Sequence, residues 1–436
     1  MPPTSPPLVV AAPAKPVERP ATGVSSKFAA ELYGFVEFDA IHDSTQSFND
    51  QAANGGITSD SYASTHQRTI FGARNSRIGF KLKGPGSEDI KSSAILEMDF
   101  LGNQPTTASE AAFITSPTFR IRHFALKLET PIVDVLFGQY WSLFGWQSNY
   151  HPNTVEIQGV PGEVYSRSPQ IRLSHMFKSE DVSVELAVAA VRPAQKDSSM
   201  PDGHAGLRLL VNGWKGLHTA GSTGTAIDAL SIGVSGIYRH FQVPEFASPV
   251  TGSRKADGSG FSVDALIPVI PATPENRGNS LTLTGSFVKG TGIADLYSGL
   301  TGGLTLPTAL PNPNNLSPAP TYSPDVDNGL VAFDTASGDL KTINWLSYMA
   351  GIQYYLPPSG RVWVSANLSG MKSNNIGQYG TASKLFDRTV WADGNLFVDI
   401  NQAVRLGAEF AWFRQTYADD SNRHNYRTQF SAFYIF

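Results

Sequence analysis

Basic side chains recur on one side of several segments in which apolar and polar residues alternate. Arg77 and Lys81 lie on the polar side of one such segment, whereas Ile78, Phe80 and Leu82 lie on its apolar side. Alternation at period two predicts a strand with one apolar and one polar face. Later segments of this kind carry three more basic residues on their polar faces: Arg120, Arg122 and Arg172. If the polar faces line an aqueous interior, such fixed charges would orient dipolar solutes and set an ion preference.

The stretch 139–167 carries acidic residues that could face these arginines. It holds Glu156 and Glu163, ends at Arg167, and contains enough aromatic and apolar residues to pack against a wall. Folded inward, the two acids would lie opposite the basic side chains and create a transverse field. In the alternative interpretation, the arginines pair with Glu97, Asp99 and the loop acids and fix the loop in place; the two interpretations are compatible.

Enzyme and metal motifs are absent from the sequence. There is no G-x-S-x-G elbow, no Walker loop and no H-E-x-x-H pattern. Asp325-Val326-Asp327 lacks the further ligands and the glycine of a calcium loop. We therefore predict no enzyme activity, no catalytic residues, no cofactor and no metal.

Strand patterns cover most of the chain and end at its C-terminus. Tyr426, Phe430 and Tyr434 share one face of the last segment, and Arg427 and Gln429 share the other. Its eleven residues meet the roughly 9–11 that a strand needs to cross a bilayer. Candidate strands lie at 32–41, 77–83, 94–100, 118–128, 132–140, 168–178, 181–192, 204–213, 227–241, 259–268, 279–289, 343–356, 360–369, 387–399, 403–417 and 424–436. In 118–128 the alternation slips between Arg122 and Phe124, which indicates a bulge.

The connections between these strands alternate between short and long. Short ones include 129–131 and 357–359, and long ones include 42–67 and 290–342. Short turns on one rim and long loops on the other are typical of bacterial outer-membrane barrels. We predict an all-β fold, a transmembrane antiparallel barrel of about 16 strands with an inward-folded constriction loop at 139–167. The barrel would occupy 27–436 as a single unit, with 290–342 as a long extracellular loop.

Composition agrees with this prediction and excludes some other classes. The 436 residues contain no cysteine, are 41% hydrophobic and carry a net charge of −4, which argues against nucleic acid as a partner. No stretch is apolar enough for a transmembrane helix. Residues 1–26 are rich in proline and predict a disordered tether rather than a signal peptide. We expect the export signal to have been removed from the sequence shown.

Residues 115–175 resemble a known family. Phe137-Gly-Gln-Tyr-Trp-Ser-Leu-Phe144 and Arg167-Ser-Pro-Gln-Ile-Arg172 resemble the entry to and exit from the constriction loop of Gram-negative trimeric porins, most closely the DcaP-like group. That group has Thr where this chain has Tyr140, and it carries an N-terminal coiled coil that the Pro-rich residues 1–26 cannot form. The resemblance implies a homotrimer, uptake of small anionic solutes such as dicarboxylates, and a location in the outer membrane.

We therefore predict an outer-membrane porin that passes small hydrophilic solutes, anionic ones included, by passive diffusion. The predicted pore-lining residues are Arg77, Lys81, Arg120, Arg122, Glu156, Glu163, Arg167 and Arg172. Expected partners are solutes, ions and outer-membrane lipids including lipopolysaccharide, and the 290–342 loop could cap the mouth or bind lipopolysaccharide through a bridging cation. Two alternatives remain: a surface adhesin or scaffold barrel with a closed lumen, and a soluble all-β binding protein.

Overall fold

The computed structural model describes residues 28–52, 56–87, 89–103, 115–156, 159–195, 198–297, 300–307, 309–334, 336–380 and 385–436. The tether predicted at 1–26 lies outside these residues. Within the described part of the chain, no helix has the length and apolar character needed to cross a membrane. The helical segments whose full extent lies among the described residues are α1 (Tyr62–Thr65) and two single 3₁₀ turns, Ala294–Leu296 and Ile376–Tyr379.

Strands make up nearly all of the regular structure. In chain order they are β1 (Ala29–Asp43), β2 (Arg68–Gly72), β3 (Arg77–Lys83), β4 (Lys91–Asp99), β5 (Arg120–Glu129), β6 (Asp134–Trp141), β7 (Arg167–Lys178), β8 (Val182–Val191), β9 (Asp202–Ala220), β10 (Gly224–Pro244), β11 (Ser253–Ile270), β12 (Ser280–Thr291), β13 (Val331–Phe333), β14 (Leu340–Thr342), β15 (Asn344–Tyr355), β16 (Val362–Lys372), β17 (Phe386–Asp399), β18 (Val404–Tyr417) and β19 (Asn422–Ile435). β13 and β14 pair only with each other, inside the connection between β12 and β15.

The remaining strands close into one antiparallel barrel. β2 and β3 both pair with β1, at its C-terminal and N-terminal parts respectively, so together they form one interrupted strand. β1 also pairs with β19, with Phe35 opposite Ile435, and this contact closes the ring. The closed barrel therefore has sixteen strands, as predicted.

Outward and inward faces alternate along the strands, as the sequence pattern requires. On β19, Tyr426, Phe430 and Tyr434 are exposed on the outer face, whereas Arg427 and Gln429 are buried on the inner face. Burying polar side chains inside and exposing aromatic ones outside reverses the arrangement of a soluble protein. It is the arrangement of a barrel whose outer wall meets lipid.

Loop lengths differ between the two rims. One rim carries short turns such as 130–133 and 179–181, and the other carries long connections such as 100–119 and 142–166. Two connections on the long rim, 245–252 and 418–421, are short. We call the two rims the short-turn rim and the long-loop rim.

The hairpin of β9 and β10 departs most from the sequence prediction. A turn was expected at 214–226, but β9 continues to Ala220 and β10 begins at Gly224. The pairing register shifts where Ala229 lies opposite Lys215 and Leu230 lies opposite Val211, so residues 212–214 form an insertion in β9. Such a bulge bends a hairpin, and the far part of this one turns into the barrel interior.

Candidate functional site

The loop between β6 and β7, residues 142–166, crosses the interior of the barrel. Near its start, the Trp146 indole N–H donates to the Val234 carbonyl oxygen on β10 at 3.0 Å. Further along, Asn153 accepts the indole N–H of Trp363 on β16 at 2.9 Å, and its carbonyl accepts the amide of Asn367 at 2.9 Å. Because these strands stand apart in the barrel order, the loop must span the lumen. The predicted inward fold of 139–167 is present, with its ends shortened to 142–166 because both flanks belong to strands.

Gly206 and Gly233 leave space for the Trp146 side chain, which anchors the beginning of this loop. A Cβ atom at Gly206 would lie 2.9 Å from the Trp146 ring, and one at Gly233 would lie 2.7 Å from it. Real Cβ contacts are not that short, so the indole can lie flat on β9 and β10 only because both positions lack a side chain. The close approach fixes the beginning of the loop against the wall.

The tip of the β9–β10 hairpin, residues 221–223, crosses the lumen from the short-turn rim. The Ser222 carbonyl accepts a hydrogen bond from the Arg405 guanidinium at 2.8 Å. Arg405 belongs to β18, which is separated from β10 by five strands in one direction and from β9 by eight in the other. The tip also contacts the constriction loop: Gly221 N–H donates to the Pro152 carbonyl at 2.9 Å, and the Asn153 amide donates to the Gly221 carbonyl at 2.7 Å.

Sequence reasoning missed this second crossing element. The predicted strands 204–213 and 227–241 leave residues 214–226 as a connection, whereas β9 and β10 continue up to the turn at 221–223. The lengths of β9 and β10 are the informative feature, because 19 and 21 residues greatly exceed the roughly 9–11 that a membrane-spanning strand needs. The surplus residues have to project beyond the membrane or fold into the barrel.

A basic wall, which we define as Arg77, Arg120, Arg122 and Arg167, lines one side of the lumen. The predicted bulge is present in β5, where Glu97 pairs with His123 and Met98 pairs with Ile121, so that Arg122 is the extra residue. The bulge leaves both Arg122 and His123 buried on the inner side.

Two carboxylates form ion pairs with arginines of this wall. Glu97 lies 2.6 Å from Arg122 and 3.7 Å from Arg77, and Asp99 lies 2.6 Å from Arg120 and 3.2 Å from Arg122. These are the pairs of the loop-fixing interpretation. Three guanidinium groups share these two carboxylates and Arg167 adds a fourth, so the wall retains an excess of positive charge.

Arg167 carries part of that excess. Its guanidinium lies over the rings of Trp141, at 4.8 Å, and Tyr165, at 5.3 Å. It makes no ion pair with any carboxylate of the described residues. Burial alone would raise the pKa of Tyr165, but the positive charges of Arg122, Arg167 and Arg77 outweigh it and lower this pKa below its usual value. Arg122, Arg167 and Arg77 thus place a net positive charge beside this phenol.

The other two predicted basic residues have different surroundings. Arg172 donates to the carbonyl oxygen of Trp141 and, at 3.0 Å, to the side chain of Gln170, so it holds the start of the loop rather than facing open space. Lys81 is half exposed and pairs with Glu31 at 3.2 Å, away from the arginine cluster.

Of the two loop acids, Glu163 lines the same interior cavity as Arg77 and Arg122. Burial raises the pKa of Glu163 to about 8 and lowers the pKa of the neighbouring His151 to about 3. Their closest atoms, Glu163 Oε1 and His151 Nε2, are 3.4 Å apart. At pH 7 this contact therefore joins two mainly neutral groups and is not an ion pair.

Glu156 lies elsewhere, and its predicted position opposite the arginines is wrong. Its carboxylate pairs with Arg427 on β19 at 3.0 Å, and Arg427 also pairs with Asp43 on β1 at 2.8 Å. The loop has already crossed the lumen when it reaches Glu156. The Glu156 carboxylate therefore pairs with Arg427 on the side of the barrel that the loop has reached, which we call the far wall.

Two inward charged residues of β18 are buried and hold the crossing elements. Glu409 accepts the backbone N–H groups of Val155 and Glu156, each at 2.8 Å. Arg405 holds the hairpin tip, and Glu37 and Asp39 are also fully buried. The far wall binds the crossing elements, and alternation along a strand cannot reveal that role.

A cavity of about 130 Å³ remains between the two crossing elements and the basic wall. Its lining includes Arg77, Arg122 and Tyr165 from the basic side, Glu163 and His151 from the loop, and residues 220–223 of the hairpin. It has room for several water molecules. We call this cavity with its lining the constriction.

The connection 292–343 folds onto the same interior from the long-loop rim. Its apolar side chains pack in one cluster with Phe144 and Val164 of the constriction loop. The Leu296 carbonyl accepts the backbone N–H of Tyr165 at 2.8 Å, and Arg239 on β10 holds Asp295 at 2.5 Å. The long connection thus supports the constriction loop from above.

Comparison with solved structures identifies the architecture. The outer membrane channel DcaP of Acinetobacter baumannii aligns with a TM-score of 0.66 at 18% identity, over 94% of this chain and 97% of that chain. The fold is that of an outer-membrane porin. An anion-selective porin from Comamonas acidovorans aligns with a TM-score of 0.51 at 10% identity, over 94% of this chain and 100% of that chain.

The resemblance to porins is confirmed at the level of the fold, and the predicted location in the outer membrane agrees with it. No family model and no curated protein matches the sequence. Both reported neighbours are described as a channel or a porin and not as enzymes.

Proposed function

We propose that the protein is an outer-membrane porin that passes small hydrophilic solutes, anionic ones included, by passive diffusion through the constriction. The observation that carries this proposal is that Arg77 and Arg122 line a narrow interior cavity, while Arg167 lies directly behind its lining, over the rings of Trp141 and Tyr165. Positive charge in a narrow, low-dielectric passage attracts anions and repels cations. Arg77, Arg122 and Arg167 are the residues we assign to this attraction, with Glu163 on the opposite side.

Liposome swelling tests passive diffusion directly. Liposomes containing the folded protein should swell in isotonic solutions of small sugars and small dicarboxylates, and more slowly as solute size increases. Protein-free liposomes provide the baseline. Swelling no faster than this baseline, from protein shown to be folded, would contradict the proposal.

One observation favours a second candidate, a barrel with a closed lumen that acts as a surface scaffold or adhesin. The constriction loop and the hairpin tip cross the lumen, and the cavity that the described residues leave between them and the basic wall has a volume of about 130 Å³. A scaffold of this kind would show neither swelling nor ion conductance. The porin proposal therefore requires that the crossing elements leave or open a path for water and solutes.

We also propose a homotrimer. The strand formed by β2 and β3 is interrupted at residues 73–76, and β6 has 8 residues, fewer than the roughly 9–11 needed to cover a bilayer. A neighbouring subunit would cover this irregular part of the wall, where Phe71 is exposed. Chemical cross-linking in mild detergent should then give a ladder that ends at three subunits.

A further inference from the structure

Three basic residues lie in one row on the outer wall near the long-loop rim. Strand pairing places Lys289 of β12 opposite Leu346 of β15, Leu346 opposite Lys372 of β16, and Lys372 opposite Arg388 of β17. All four side chains are exposed, and they alternate with buried neighbours such as Val288 and Met371. We call Lys289, Lys372 and Arg388 the basic row.

The basic row has no acidic partner among the described residues. Directly opposed residues of antiparallel strands have Cβ atoms about 4.5–5.5 Å apart, and like charges at that distance are unfavourable. Lys372 and Arg388 are such a pair, yet neither makes an ion pair, even though Asp387 precedes Arg388 in the chain. Lys341, by contrast, lies 3.6 Å from Asp339.

A fourth cation adjoins the row. Arg414 of β18 lies opposite Val390, which makes it a diagonal neighbour of Arg388, about 7–8 Å away. It donates two hydrogen bonds to the Asn422 side-chain oxygen, at 2.7 and 3.0 Å. The positive charge of this part of the wall therefore extends over three adjacent strands.

The depth of the row is set by the residues below it. The next row towards the middle of the wall contains Phe287 opposite Tyr348, and Tyr348 opposite Gly370. Both aromatic side chains are exposed on the outer wall. Exposed aromatic residues mark the level at which hydrocarbon meets headgroups in such barrels. The basic row thus lies at headgroup level, where a charge costs little.

We propose that the basic row binds the phosphate groups of a phosphorylated lipid in the membrane leaflet at the long-loop rim. Guanidinium groups bind phosphate through paired hydrogen bonds, and ammonium groups bind it as point charges. A headgroup phosphate between Lys372 and Arg388 would relieve their mutual repulsion, while the acyl chains lie along the apolar wall below. The site is on the outer surface and is separate from the constriction.

Native mass spectrometry of the full chain in detergent, titrated with bis-phosphorylated lipid A, tests this proposal. The variant K372Q/R388Q should bind the lipid roughly thirty-fold more weakly, because each basic residue near an anionic headgroup layer strengthens binding about five-fold. The control R254Q/K341Q removes the same charge on the same rim but outside the row, and it should bind as the unmodified protein does. Single-channel conductance should be the same in all three proteins.

Two comparison ligands separate a lipid site from a general anion site. Phosphatidylethanolamine should bind weakly to all variants, and inorganic phosphate at the lipid concentration should not displace lipid A. Equal lipid affinity of K372Q/R388Q and the unmodified protein would overturn the proposal, as would an equal loss in the control or displacement by inorganic phosphate. If the double variant fails to fold, as judged by heat-dependent gel mobility, the single variants K372Q and R388Q replace it, and unchanged affinity in both would overturn the proposal.

Discussion

Residues of the basic wall differ in what they can contribute to a permeating ion. Arg120 and Arg122 are engaged by Asp99 and Glu97 at 2.6 Å, so much of their charge is neutralised locally. Arg167 stacks on aromatic rings and makes no ion pair within the described part of the chain. We therefore assign the largest single share of any anion preference to Arg167.

Replacing Arg167 by Gln should lower the ratio of anion to cation permeability roughly ten-fold, because its charge attracts an anion and repels a cation by similar amounts. A unit charge about 8 Å from the path, at an effective dielectric constant near 20 and screened over one Debye length, accounts for a change of this size. Reversal potentials under a salt gradient measure the ratio. Arg254→Gln, an exposed position outside the constriction, is the matched control and should leave the ratio unchanged. An equal ratio in R167Q and the unmodified protein would remove Arg167 from the path.

The pH dependence of selectivity should follow Glu163. Burial raises the pKa of this carboxyl to about 8, so the group is mainly neutral at pH 6 and mainly charged at pH 10. Anion preference should therefore decrease as pH rises from 7 to 9, because a negative charge appears opposite the arginines. His151 does not contribute in this range, since its pKa of about 3 keeps it neutral throughout.

The variant Glu163→Gln supplies the control for this titration. It keeps the neutral form at every pH, so its reversal potential should change less from pH 7 to 9 than that of the unmodified protein. The raised pKa of Glu163 also makes the free energy of unfolding depend on pH. Its contribution to stability is fully present when pH lies below the ordinary pKa of a glutamate, and it is lost as pH rises towards 8. A decrease in anion preference that persists in E163Q would show that another group titrates.

At the scale of elements, two segments from different parts of the barrel meet in the lumen. The constriction loop depends on Trp146 at one wall and Asn153 at the other, and the hairpin tip depends on Arg405. These contacts are direct hydrogen bonds between described groups at 2.8–3.0 Å. The width of the passage is therefore a property of anchored elements, and loosening an anchor should widen it.

Replacing Gly233 by Val should detach the beginning of the constriction loop. The new side chain would occupy the space of the Trp146 indole, whose ring lies 2.7 Å from a Cβ at this position. Conductance should rise, and overpacking should lower stability by about 1–3 kcal/mol. Gly236→Val is the matched control on the same strand, because a Cβ there meets nothing closer than 3.7 Å. Equal conductance of G233V and G236V would contradict this role of Trp146.

A cysteine at Thr223 tests whether the hairpin tip borders the passage. The chain has no cysteine of its own, so a thiol reagent would modify this position alone. Thr223 is partly exposed in the lining of the constriction, and a bulky anionic methanethiosulfonate there should reduce conductance and anion access. Thr251→Cys, on an exposed connection, should be modified without any effect. Unchanged current after complete modification of T223C, verified by mass, would place the path elsewhere.

At the scale of the whole molecule, the alternation of apolar and polar residues predicts the barrel but not which segments occupy its interior. Period-two patterns indicate which residues of β5 and β19 face inward, and even locate the bulge at Arg122, because each is a local property of one strand. The partner of Glu156 and the crossing of 221–223 depend on contacts between residues far apart in the chain. Arg405, Glu409 and Arg427 resemble ordinary inward charges until the elements that they bind are in place.

Single-channel recording in a planar bilayer under a potassium chloride gradient tests the proposed pore and its selectivity together. We predict conductance steps in groups of three, from a trimer of water-filled pores, and a reversal potential that indicates anion preference. Cation preference would contradict the role assigned to the basic wall. An absence of conductance from protein shown to be folded would contradict the porin itself and favour the closed scaffold.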